Sequence, residues 1–226
     1  MPEMTRRTWL TLSAFSTCSA VLLAGESGRE PARARSTPRD AIRDRYFPNV
    51  TLTTQEGRRV RFYDDLIKEK IVTINLIYAT CDKICPTVTA NLAKVQKLLG
   101  NRVGRDIFMY SITLKPEVDT PEVLHQYAAT HGAGPGWLFL TGKPDDVELL
   151  RRKLGFVDPD PIVDADKSSH AGNVRYGNEA LQLWAACPGL ANPEWIAKSI
   201  SWVAAPRLQG GKRPSGGETK SEGDRR

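Results

Sequence analysis

Two cysteines, Cys81 and Cys85, stand four positions apart in YATCDKICP and are followed at once by Pro86. Three chemistries compete for such a pair: a structural disulfide, a redox dithiol and a clip for a soft metal. The pair falls where the apolar run Ile71–Tyr78 ends and a helix-patterned segment begins. A helix N-terminus offers unpaired amides and the positive end of a dipole, and both push a thiol toward thiolate. Pro86 suits a helix start because its missing N–H is not needed there. Cys81 and Cys85 are therefore expected to be partly ionised and on the surface, at the mouth of the strand.

Thiolate is the form that attacks disulfides and the form that binds metals, so ionisation alone does not choose. Three residues, Asp82, Lys83 and Ile84, separate the sulfurs, against two in a Cys-x-x-Cys dithiol. The extra residue lets the sulfurs sit apart and share a metal without forbidding a disulfide. Two thiolates make a soft site, suited to Cu(I) more than to hard cations. A third ligand would normally be imidazole or thioether, and the chain has three histidines. His125 falls inside a predicted helix and His131 at its end beside a glycine, so these read as surface and capping residues. His170 lies in the long loop Val157–Gly172, which can reach back over the cysteine mouth; a plain exposed loop histidine is the alternative. Cys187 reads as a buried structural thiol, and Trp195 and Trp202 as core. A disulfide closing so short a loop contributes little loop-closure entropy, which counts against a purely structural role.

The elements that must position these residues alternate. Asn49–Thr53 and Arg58–Phe62 flank Gln55-Glu56-Gly57 and read as a hairpin with a glycine turn. Ile71–Tyr78, Ile107–Thr113 and Trp137–Thr141 read as buried strands. Between them lie a helix after Pro86 that ends at Gly100, a helix opened by Asp119-Thr120-Pro121-Glu122 and running to about Thr130, and a third over Asp145–Leu154. Asn173–Tyr176 reads as a short strand and Pro193–Val203 as a last helix. Alternating strands and helices predict an α/β fold with a mostly parallel central sheet, flanking helices and an N-terminal β-hairpin.

The chain has 226 residues and a formal charge of +6, enough for one domain with extensions. The excess charge sits in the flanks: residues 1–45 and 206–226 each carry +3, while 46–205 hold 18 charges of either sign. A basic nucleic-acid footprint is thus lacking, and no nucleic-acid partner is expected. Residues 1–25 read as an export signal, with Arg6 and Arg7 before the uncharged stretch Leu10–Ala24. The TRRTWL start resembles a twin-arginine signal; a Sec signal with two arginines is the alternative. Cys18 lies within it. Residues 26–45 read as a linker, 46–205 as the folded domain and 206–226 as a disordered basic tail. Export implies a periplasmic or other extracytoplasmic location, with membrane attachment only if the signal stays uncleaved.

Four stretches make the chain resemble the Sco/SenC family over about residues 46–205: VTLTTQEGRRVRFYDDL, INLIYATCDKICPTVTANLAKV, MYSITLKPEVDTPEVLHQYA and SSHAGNVRYGN. The Cys-x-x-x-Cys-Pro motif with DTPE about 30 residues later is the specific part. The resemblance implies a thioredoxin-like fold and a copper-binding assembly factor for cytochrome c oxidase. Cys81, Cys85 and His170 would be the copper ligands, and the cysteine pair would also be a dithiol able to reduce the oxidase's copper-site cysteines. The implied partner is the oxidase subunit carrying that site, or another copper or thiol protein. Lys115 and Ser169 depart from the family, which often has aspartate at both places. An extracytoplasmic thiol–disulfide oxidoreductase or thiol peroxidase is the other reading; it needs Cys81 and Cys85 but not His170.

Overall fold

The computed structural model describes residues 37–166 and 172–204. The Thr37 hydroxyl accepts the Asp40 N–H while the Asp40 carboxylate accepts the Thr37 N–H. With Pro38 in the first position, this capping box starts helix α1, Pro38–Tyr46. The stretch 26–45 read as linker therefore ends as helix.

The predicted hairpin is present as β1, Thr51–Thr54, and β2, Arg59–Arg61, turning through Gly57 at φ +77°. The next residues, Phe62–Ile67, form a π-helical turn that buries Phe62, Tyr63, Leu66 and Ile67. Strands β3, Ile71–Ile77, β4, Ile107–Thr113, and β5, Trp137–Gly142, lie where the apolar runs placed them. Helices α2, Ile84–Leu99, and α3, Pro121–Thr130, supply the crossovers that parallel neighbours require. Helix α4, Pro144–Lys153, follows β5. The chain closes with α5, Pro161–Ala165, strands β6, Asn173–Asn178, and β7, Leu183–Pro188, and helix α6, Pro193–Ala204.

The seven strands form one sheet in the order β2-β1-β5-β4-β3-β6-β7. The sheet is mixed, which corrects the expectation of a mostly parallel one. Only β3–β4 and β4–β5 are parallel; β1 runs antiparallel to β5, and β6 antiparallel to β3 and β7. The turns within β1–β2 and β6–β7 are too short to cross over, so each adds an antiparallel pair at an edge.

The two sheet faces carry separate apolar clusters. Ile74, Leu76, Tyr110, Ile112 and Leu140 pack with Phe62, Leu66, Ile67 and Leu150. Ile77, Met109, Phe139 and Val174 pack with Val88, Leu92, Leu124, Ile196 and Ile200. Trp195 and Trp202 are not in either cluster. They are 50% and 74% exposed, because α6 turns Ile196, Ala197 and Ile200 inward and leaves the tryptophan positions on its outer side.

Candidate functional site

The parallel centre of the sheet delivers the chain to the site. β3 ends at Ile77, whose carbonyl accepts the Leu114 N–H from the end of β4. A turn follows in which the Cys81 N–H donates to the Tyr78 carbonyl at 3.1 Å. Cys85 is the second residue of α2, and Pro86 the third. The junction is where the sequence puts it, but the cysteines are not on the surface. Cys81 is 5% exposed and Cys85 0%, both within the apolar cluster that includes Tyr78 and Phe156.

Burial splits the two thiols. No side-chain oxygen caps α2 at Lys83. The Cys81 sulfur takes that place, accepting the backbone N–H groups of Cys85 and Lys83. Burial alone would raise the Cys81 thiol. The hydroxyl of Tyr78, those amides and the Cys85 thiol, all donating to the sulfur, outweigh it and hold Cys81 down at about 7. Burial, and then the hydrogen bond to Cys81, push Cys85 up to about 12. At neutral pH one sulfur is about half ionised and the other keeps its proton. The Tyr78 hydroxyl is raised in turn, first by its hydrogen bond to Cys81 and then by burial.

Two residues outside the cysteine motif build this turn. Asp119 is fully buried, and its Oδ2 accepts the Ala79 N–H at 3.1 Å and the Thr113 hydroxyl. It ties the start of the cysteine turn to the end of β4. The helix-cap role expected of the Asp119–Glu122 stretch belongs to Thr120, whose hydroxyl accepts the Val123 N–H. Lys115 holds its Nζ 4.3 Å from the centre of the Tyr78 ring. Spacing relative to the cysteines could not single out Tyr78 or Asp119. The polar Asp119 beside a predicted strand end was the one available signal.

His170 lies outside the described residues. The chain is described up to Asp166 and again from Gly172. Asp166 acts electrostatically on the Tyr78 hydroxyl. At Gly172, an added Cβ would meet the Ile84 Cδ1 at 3.3 Å, one residue from Cys85. Both ends of the Val157–Gly172 loop thus stand near the cysteine turn, and α5 occupies its middle. His125 is exposed, and His131 stacks on Tyr127 at the end of α3 with its Nδ1 2.9 Å from the Tyr127 carbonyl. Neither belongs to the site. Cys187 sits on β7 in the other cluster, with its thiol pushed up by burial to about 11. The described residues contain no group of three or more His, Cys, Asp or Glu able to hold a metal.

A family model described as SCO1/SenC matches residues 39–205. A SCO1 protein homolog of Bacillus subtilis is 31% identical over 93 residues, which span 41% of this chain and 47% of that relative. The match thus covers about half the length of that relative. The copper-bound structure of Bradyrhizobium japonicum ScoI superposes with a TM-score of 0.54 at 21% identity, covering 68% of this chain and 96% of that one. BsSco, described as a member of the Sco family of cytochrome c oxidase assembly proteins with a disulfide switch, superposes with a TM-score of 0.56 at 23% identity, covering 69% and 91%. At those identities the structural likeness establishes a shared fold.

Proposed function

We propose, for a chain that belongs to the SCO1/SenC family, that its cysteine turn takes up copper and serves the assembly of a cytochrome c oxidase. The observation that carries this reading is the donor set. Two sulfurs share one helix start, and both ends of the His170 loop stand beside them. Soft sulfur donors in an apolar surrounding suit Cu(I). His170 is two residues from Gly172, so its Cα lies within roughly 7 Å of the Gly172 Cα by chain length alone. Cys81, Cys85 and His170 would then be the ligands, with copper as cargo. Cys81 offers thiolate at neutral pH, while Cys85 must give up its proton to bind. Tyr78 and the α2 amides hold the Cys81 sulfur in place during transfer.

Metal analysis of the reduced chain after Cu(I) loading and gel filtration tests this. One copper per chain, lost in Cys81→Ser and more weakly held in His170→Ala, is the expected result. A chain that emerges without copper refutes the assignment.

The split between the two thiols also favours a second reading, reduction of an acceptor's disulfide. The Cys81 thiolate would attack one sulfur of that disulfide and release the other as thiolate. Cys85, once deprotonated, would then displace the remaining acceptor sulfur. The acceptor gains two electrons and the chain is left with a Cys81–Cys85 disulfide. Disulfide exchange that survives His170→Ala, in a chain that holds no copper, would favour this role. An extracytoplasmic location is part of the proposal and rests on the arginine-led apolar stretch within residues 1–25. Among the described residues no helix is long and apolar enough to cross a membrane.

A further inference from the structure

Away from the cysteine turn, α1, the β6–β7 hairpin and the end of α4 frame a cavity of about 440 Å³. Ile42, Phe47, Ile74 and Leu154 give it apolar walls. Three other side chains that line it, Arg175, Gln182 and Trp184, each carry a buried polar atom with no partner among the described residues: Arg175 Nε, Gln182 Oε1 and Trp184 Nε1. Such atoms are uncommon in folded proteins, and each forfeits the hydrogen bond that water would give it. Here they gather around one cavity.

Each of the three is held in its orientation. Arg175 Nη2 donates to the Gly155 carbonyl, and the guanidinium lies 5.3 Å from the centre of the Phe156 ring. Gln182 Nε2 donates to the carbonyl and the Oε1 of Glu179 at 2.6 and 3.1 Å. Both partners are acceptors, so the amide cannot be flipped and its oxygen stays unpaired. The Trp184 indole packs on Phe47 with ring centres 4.6 Å apart. It also covers Gly177, where a Cβ would come within 2.4 Å of the ring. Lys153 adds a second cation to the lining, and none of the described lining residues is acidic.

An apolar cavity with a few fixed polar groups is the form of a small-molecule site. We infer that this cavity binds an amphiphilic acid: an apolar chain along Ile42, Phe47, Ile74 and Leu154, a carboxylate taken by the Arg175 and Trp184 donors, and a neighbouring hydroxyl or N–H given to Gln182. The site is separate from the cysteine turn and does not depend on the copper reading.

The test is titration of the ¹⁵N-labelled full chain with 3-hydroxydecanoate below its micelle concentration. Decane-1,3-diol serves as the uncharged control, and the Trp184 indole N–H resonance is assigned with Trp184→Phe. The expected result is saturable binding that moves the Trp184 indole resonance downfield. Arg175→Gln should weaken it at least tenfold, about 1.4 kcal/mol. Lys153→Gln, at an exposed position that folding does not need, should weaken it two- to threefold and keeps the test informative if Arg175→Gln is unstable. No saturable binding up to 1 mM (about −4.1 kcal/mol or weaker), equal binding of the diol, or binding that leaves the Trp184 resonance unmoved would each overturn the inference.

Discussion

Replacing Tyr78 by Phe removes one oxygen and tests how the site makes its thiolate. The ring stays, and with it the contact to Lys115. What goes is the hydroxyl that donates to the Cys81 sulfur. A hydrogen bond to a charged group contributes about 1.5–3 kcal/mol, and each ~1.4 kcal/mol is one pH unit of ionisation. Cys81 should therefore rise from about 7 to roughly 8–9. At pH 7 its thiolate fraction falls from half to about a tenth or a hundredth. A more basic thiolate is also a better nucleophile, with a Brønsted slope of ~0.45, which recovers about three- to eightfold. Alkylation of Cys81 by iodoacetamide, followed by mass spectrometry in a Cys85→Ser, Cys187→Ser background with and without the change, should thus slow about two- to sixfold at pH 7. At pH 10 it should be faster than in the parent, so the two rate–pH curves cross. Cys85→Ser itself removes the smaller donation from Cys85, so the comparison is between the two backgrounds and not with the native chain. Superimposed curves, or a midpoint shifted by less than about 0.3, would mean that the Tyr78 hydroxyl does not set the ionisation of Cys81.

Cu(I) loading at pH 7 should release about 1.5 protons per copper, half from Cys81 and one from Cys85, falling to about one at pH 9; release of two at both pH values, measured in weak buffer with an indicator dye, contradicts the thiol assignment. Asp119→Ala strands the Ala79 N–H and the Thr113 hydroxyl and should lower stability by about 2–4 kcal/mol; a urea midpoint within about 0.5 kcal/mol of the parent contradicts the clamp. The folded Cys81 ionises near 7 against an ordinary 9.0, so its stabilisation is present above pH 9 and is lost as pH falls through 7. Cys85 is raised from 9.0 to about 12, so above pH 9 the unfolded chain ionises where the folded one cannot, and stability falls again. Denaturant melts of the reduced chain should therefore show about 2 kcal/mol more gain between pH 7 and 9 than melts of Cys81→Ser, and equal gains in the two proteins would remove Cys81 from the pH response.

Local chemistry was legible where a segment carries its own signal. The β-branched runs of β3 and β4, Pro121 after Thr120, and the glycine at position 100 mark elements that form where they were expected. Strand β7 was not legible, because LWAACP has little β-branched character and owes its strand form to pairing with β6 along a sheet edge. The π-helical turn at Phe62–Ile67 likewise follows from burying four side chains against the sheet, not from its own pattern. Strand direction at both edges was set by short turns.

The sequence alone determined the order of strands and helices, the cysteine pair at a strand-to-helix junction and the kinship those motifs declare. Tertiary structure decided which sulfur ionises. That depends on how far each thiol is from water and on which donors meet it, and Tyr78, Asp119 and Lys115 reach the pair only through the parallel pairing of β3 with β4. Ionisation is a property of surroundings, and surroundings assembled from residues about 40 positions apart exist only once the chain has folded.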